Sequence, residues 1–283
     1  MWDSKGNMFF WSDMLSGFIF KYNPKNDSVK KIAEGKNVSG MALRKNGGLV
    51  CACHQGVYIW DVKNGYQLIA DTHNGNILHS NDAIADAAGR FIFGSTFYGP
   101  NLTDYPLGKL FKVEKDGTIS ILVEGVHLSN GLGFSSDNKI MYFTDTVLRT
   151  IYAYDYNLKK GLISNKRVFV KIPDDEGIPD GMTVDAEDHV WSAQWYGSCI
   201  VRYDPDGKID RRLEIPVKQI SSLIFGGEDW TDIYVTTAAR SVHLHVAPKG
   251  YDFNASNIGG PVYRYNLGIR GKAEYYADIN IKK

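Results

Sequence analysis

The feature that most constrains this chain is a repeat. Short strand-like runs recur along its 283 residues, separated by turn residues, and no convincing amphipathic helix interrupts them. The runs group in fours. One group reads Val38–Leu43, Leu49–His54, Val57–Asp61 and Tyr66–Asp71, and a second Ser80–Ile84, Arg90–Thr96, Lys109–Val113 and Ile119–Val123. A third reads Ser129–Phe134, Ile140–Asp145, Thr150–Tyr154 and Arg167–Ile172, and a fourth Pro179–Val184, His189–Trp195, Ile200–Asp204 and Arg211–Ile215. The last reads Ser221–Phe225, Asp232–Thr237, Val262–Tyr265 and Ala273–Ala277. The starts, near residues 38, 80, 129, 179 and 220, are spaced by roughly 40–50 residues, the length of a four-stranded propeller blade. Met8–Asp13, Phe18–Asn23 and Val29–Ile32 supply three strands of a further blade that lacks its innermost start. The expectation is an all-β chain forming a single six-bladed β-propeller over residues 1–283, with four antiparallel strands per blade. Helical solenoids are excluded because the units lack helices. Two β-sandwiches are the competing arrangement, and no linker splits the chain to favour it.

Composition agrees and removes several classes. Gly (29 residues) and aromatics (13%) suit turns and strands. Lys+Arg and Asp+Glu are both 32, and no basic stripe interleaves with aromatics, so nucleic-acid binding is not expected. No apolar run approaches the roughly 18 residues that span a bilayer, and no signal peptide precedes the first strand. No membrane association and a cytoplasmic setting are the expectations. Cys51 and Cys53, two apart in a strand-like run and so on one face, read with Cys199 as small buried hydrophobes.

Aligning the repeats places Ser39, Asn81, Asn130, Asp180 and Ser222 at one equivalent position, where the innermost strand of each blade begins. All carry oxygen, and Gly40, Gly131 and Gly181 leave room for backbones to approach. Turn-capping alone explains any one such residue. Recurrence at one register points instead to a ring of oxygens suited to a hard divalent cation, with Asp180 as carboxylate and Asn81 and Asn130 as amides. Zinc prefers His and Cys. Ca²⁺ is favoured, with Zn²⁺, Mg²⁺ and Mn²⁺ as alternatives. His243 and His245, two apart after the Tyr234 strand, and His73 read as loop residues rather than ligands.

The same residues carry a family resemblance. Ser129-Asn130-Gly131-Leu132 with Tyr142–Thr146 and Ile151–Tyr156, and Gly177–Asp185 continuing through Val190-Trp191 and Val201–Gly207, resemble central blocks of the gluconolactonase, senescence-marker-protein and luciferin-regenerating-enzyme family. Asn81-Asp82 with Gly89–Phe91 and Gly94–Thr96, and Phe225–Gly227 with Tyr234–Ala238, follow in the family's order. The resemblance implies a six-bladed propeller with one divalent ion, and lactone hydrolysis. By position it implies metal ligation by Asn130 and Asp180, Asp180 also as general base. Asn81 falls near the metal, contacting substrate or a coordinated water, and Asp82 and Ser222 fall at substrate positions. Two departures stand out. Met1-Trp2-Asp3 matches only the tail of the family's Glu-Gly-Pro-x-Trp-Asp block, so its ligand Glu falls ahead of residue 1. Either the chain is shorter than the active protein there or the site has lost a ligand. His79 stands where many sugar lactonases carry an Arg that grips substrate hydroxyls. The stretch from Phe97-Tyr98-Gly99-Pro100 to Tyr105-Pro106-Leu107-Gly108 looks more like bacterial lactonases of broader specificity.

The expected function is therefore a divalent-metal-dependent hydrolase opening a small lactone, a sugar lactone or a relative. The ion polarises the carbonyl and Asp180 takes the proton of the attacking water; nucleophilic attack by Asp180 is the variant. The competing reading is a non-catalytic ligand- or partner-binding propeller with an incomplete metal site.

Overall fold

The computed structural model describes residues 1–96 and 107–281. Among them every regular element is a strand, and none is a helix. The first sheet holds β1 (Trp2–Asp3), β2 (Met8–Asp13), β3 (Phe18–Asn23) and β4 (Ser28–Glu34), and the second β5 (Val38–Leu43), β6 (Leu49–Cys53), β7 (Gly56–Asp61) and β8 (Gly65–Ala70). A small hairpin, β9 (Thr72–His73) with β10 (Asn76–Ile77), precedes the third sheet of β11 (Ser80–Ala85), β12 (Phe91–Ser95), β13 (Gly108–Val113) and β14 (Ile119–Val126). The fourth holds β15 (Ser129–Phe134), β16 (Ile140–Asp145), β17 (Thr150–Asn157) and β18 (Leu162–Lys171). The fifth holds β19 (Ile178–Val184), β20 (Val190–Trp195), β21 (Cys199–Tyr203) and β22 (Ile209–Glu214). The sixth holds β23 (Ile220–Gly226), β24 (Asp232–Thr237) and β25 (Tyr263–Asn266). Each sheet keeps its strands in chain order, as a meander does. Six such sheets in succession make the fold a six-bladed β-propeller.

Burial grades across each sheet. β6, β12, β15 and β21 are buried at every residue, whereas the final strands β18 and β22 are mostly exposed. A strand buried on both faces reads as a continuous apolar run, an edge strand as a charged one. That is why Phe91-Ile92-Phe93 and Ile209-Asp210-Arg211-Arg212 look so different in the sequence.

Two compact units are present: residues 1–129 with 156–163 and 273–283, and residues 130–155 with 164–272. In the first, Ala42, Val50, Ile59, Phe91, Phe93 and Phe111 share one apolar cluster, with Phe93 and Phe111 stacked at 5.1 Å. In the second, Trp191, Ile200, Leu223, Phe225 and Ile233 form one, with Trp191 edge-on to Phe225 at 5.6 Å. Each side chain of this size stabilises the fold by about 1.5–3 kcal/mol on full burial.

The expected final strand Ala273–Ala277 is not part of the sixth sheet. Instead Ala277 bridges to Arg44 in parallel, its N–H donating to Leu43 O and its carbonyl accepting from Lys45 N. Ala277 and Ile279, two apart and both 0% exposed, insert into the cluster around Phe91. Burying that alternating pair outweighs extending an edge.

Candidate functional site

Ser39, Asn81, Asp180 and Ser222 sit at or beside irregularities in the sheets. Pairing of the first strand with the second shifts between Val38 and Gly40, between Ser80 and Ala83, between Pro179 and Met182, and between Ile220 and Ser222. A bulge sets two residues against one and re-aims a side chain out of the ladder. Asn81 and Asp82 occupy one bulge and Asp180 another. The glycines explain how neighbouring strands come so close there. A Cβ on Gly131 would lie 2.6 Å from Asp180 O, one on Gly181 2.4 Å from Ser222 Oγ, and one on Gly40 2.5 Å from Ala83 N.

Hydrogen bonds fix how these side chains are turned. In the second unit, Asn130 is 8% exposed and its Nδ2 donates to Thr146 Oγ1 at 2.8 Å. Thr146 in turn donates to Pro179 O at 2.7 Å, one residue before Asp180. The relay joins Asn130 to the strand carrying Asp180 and turns the Asn130 oxygen away from Thr146. In the first unit, Asn81 Nδ2 donates to Ser129 O at 2.6 Å, which orients its amide in the same sense. Amides whose NH₂ ends are committed to acceptors present their oxygens elsewhere, the arrangement a hard cation requires. In the second unit, the Asn130 amide and the Asp180 carboxylate are donors of the kind that Ca²⁺ or a similar hard ion takes. Ser39 differs: its hydroxyl donates to Ser80 O (3.0 Å) and Ala52 O (3.1 Å), tying strands together.

His79 and Asp82 lie in the first unit. The His79 Nδ1–H donates to His54 O at 3.1 Å, and the two rings stand 5.1 Å apart. A carbonyl only accepts, so Nδ1 of His79 carries a proton in this bond. Burial, and then the neighbouring His79, hold the His54 imidazole below its ordinary pKa. Burial pushes the Asp82 carboxyl up to about 6, despite the lowering influence of the Ala83 N–H that its Oδ1 accepts at 2.7 Å. Ser222, in the second unit, lies against Gly181. The stretch from Phe97 to Pro106 lies outside the described residues.

One cluster invites a metal and does not suit one. Asp185, Glu187 and His189 bring their ligand atoms within 4.8 Å of one another. Yet Asp185 Oδ2 accepts from Arg202 Nη2 (2.7 Å), Arg202 Nε (2.9 Å) and Trp191 Nε1 (2.8 Å), while Oδ1 accepts the N–H groups of Glu187 and His189. Arg202 also holds Glu187 and Asp210. The guanidinium already supplies the positive charge, so the cluster is a staple of the β19–β20 turn. Asp86 plays the same part between β11 and β12, bonded by Arg90 and by Tyr156 OH at 2.6 Å. His243 stacks on Phe253 with centroids 4.0 Å apart, in keeping with a packing role.

Sequence reasoning missed Thr146 and His54. Thr146 stands inside the quoted Tyr142–Thr146 block, but its link to Pro179 appears only once the strands are paired. His54 directly follows β6 and carried no signal apart from its residue type.

The chain matches the family described as SMP-30/Gluconolactonase/LRE-like region over residues 1–239. It belongs to that family. It is 33% identical to the pentonolactonase XacC of Haloferax volcanii over 281 residues, 99% of this chain and 94% of that one. It is 31% identical to regucalcin of Xenopus laevis over 278 residues, 96% and 91% of the two chains. A luciferin-regenerating enzyme of known structure superposes with a TM-score of 0.87 at 26% identity, covering 98% of this chain and 94% of that one.

Proposed function

We propose that this protein is a divalent-metal-dependent lactonase acting on a sugar lactone or a related small lactone. Family membership and the likeness to a pentonolactonase support the substrate class. The observation that carries the reading is the Asn130–Thr146–Pro179 relay, which ties the Asn130 amide to the strand bearing Asp180. Asn130 and Asp180 would hold the ion, with Ca²⁺ the best match to an amide and a carboxylate. The roles assigned from the sequence to Asn81, Asp82 and His79, all in the first unit, and to Ser222 belong to the same proposal.

When bound, such an ion supplies Lewis-acid polarisation of the lactone carbonyl. Asp180 accepts at its carboxylate the proton of the attacking water, and returns a proton to the leaving alkoxide as the ring opens. Asn130 keeps its amide fixed through Thr146, so its oxygen needs no reorganisation as charge develops.

The test is proton release during ring opening of a pentono-1,4-lactone. The chelator-treated protein should be inactive, and Ca²⁺, Mg²⁺, Mn²⁺ or Zn²⁺ should restore turnover in the wild type but not in Asp180→Ala. Turnover that survives chelation, or survives Asp180→Ala, refutes the reading.

A further inference from the structure

Asp180 sits where the ladder of its own sheet is interrupted. β19 and β20 pair Ile178 with Trp195 and Pro179 with Gln194, and pairing resumes only at Met182 with Ser192. Asp180 and Gly181 fall in the gap, and Pro179 just before it has no N–H to donate. The backbone that presents the Asp180 carboxylate therefore depends on how the chain arrives at Pro179.

That arrival is held from one turn. Residues 146–149 join β16 to β17, and Arg149 N closes the turn by donating to Thr146 O at 2.9 Å. Thr146, at one end, donates to Pro179 O. At the other end the Arg149 side chain, in a residue only 5% exposed, reaches the connection between β18 and β19. Its Nη1 donates to Pro173 O (2.8 Å), Glu176 O (3.1 Å) and Gly177 O (3.1 Å), and its Nη2 to Asp174 O (3.1 Å). The chain is thus pinned at Gly177 and again at Pro179 before it enters the bulge. Arg149 itself has a φ of 48°, a left-handed conformation that a non-glycine residue keeps only where its surroundings over-determine it.

The same guanidinium moors a second segment. Nη2 donates to Val246 O at 2.7 Å, in the connection between β24 and β25. Charge pairing is not what holds the group. Asp174 Oδ1 lies 3.6 Å from Nε on a side chain that is 95% exposed, where solvent screens an ion pair to little effect. The holding is done by the carbonyls of Pro173, Asp174, Glu176, Gly177 and Val246. Only a planar fork serves acceptors spread in this way, since a lysine ammonium offers its N–H groups from a single point.

We infer that Arg149 is a positioning residue for Asp180, fixing the chain that enters the β19 bulge so that the carboxylate keeps its place. Its effect passes through backbone carbonyls. The inference rests on the lactonase reading for the chemistry that Asp180 performs.

Two variants test it. Arg149→Lys keeps the charge but not the fork, and Arg149→Met keeps only the stem. Calorimetric titration with Ca²⁺ should show both binding about tenfold or more weakly than the wild type, the usual cost of losing a group that orients a ligand. In proton-release assays on a pentono-1,4-lactone at saturating Ca²⁺, kcat should fall about tenfold or more and KM stay within about twofold, because a base acts in the transition state. Arg202→Met is the control for stability alone: its guanidinium holds Asp185, Glu187 and Asp210, and its loss should leave Ca²⁺ affinity and kcat as in the wild type. Arg149→Lys with wild-type Ca²⁺ affinity and kcat overturns the inference. An equal loss in Arg202→Met overturns it as well, by reducing the effect to general stability. Should Arg149→Met fail to fold, Arg149→Lys decides. Ca²⁺ binding that depends on Arg149, in a wild type that opens no lactone, overturns the lactonase reading and leaves the positioning role standing.

Discussion

Replacing Thr146 by Val tests whether the relay positions Asn130. The substitution keeps the shape of a side chain that is 2% exposed and deletes one oxygen. That oxygen accepts from Asn130 Nδ2 at 2.8 Å and donates to Pro179 O at 2.7 Å, so two bonds are lost together. Each buried group stripped of its partner costs about 1–3 kcal/mol, and the two together predict a loss of roughly 2–6 kcal/mol in urea unfolding followed by tryptophan fluorescence. With the amide no longer pinned, metal affinity and kcat/KM should fall by about 10–100-fold, the usual cost of losing a group that orients a ligand. Thr146→Ser retains the hydroxyl and should recover most of both. Calorimetric Ca²⁺ titration and the proton-release assay read the two quantities separately. A Thr146→Val protein with wild-type metal affinity and turnover refutes the positioning argument, whatever its stability.

Other outcomes follow from the same contacts. Arg202→Met strands the fully buried Asp185 carboxylate and should destabilise the fold by about 3–5 kcal/mol in urea unfolding, with no selective change in metal affinity. Burial pushes the Cys53 thiol up to about 12 and raises Cys51 and Cys199 as well. A disulfide-forming reagent at pH 8 should therefore label none of the three cysteines in the native protein and all three after unfolding. The same shift has a sign for stability. Between about pH 9 and 12 the unfolded chain loses thiol protons that the folded chain keeps, so unfolding free energy should fall as pH rises through that window.

The blades were legible because burial writes itself into composition. Fully buried β12 reads Phe-Ile-Phe, while solvent-facing β22 reads Asp-Arg-Arg, and a period of short runs survives even with irregular turns. The register of Asn81 and Asp180 was legible for the same reason, and both fall at bulges. Ser39 shares that register but spends its hydroxyl on backbone carbonyls, and residue type alone could not separate it from Asn81. Ala273–Ala277 has strand composition, and the choice of the core around Phe91 over an edge of the sixth sheet is a tertiary matter. Thr146 reaches Pro179 and His54 meets His79, each more than 20 residues away, so nothing local marks them.

Crystals soaked in Mn²⁺ and recorded at the manganese absorption edge test the central claim. The account predicts one anomalous peak within about 2.0–2.4 Å of both Asn130 Oδ1 and an Asp180 carboxylate oxygen, the range for metal–oxygen bonds of this kind. A strong peak at Asp185 and Glu187 instead, or Asn130 and Asp180 bare while the ion binds elsewhere, contradicts it.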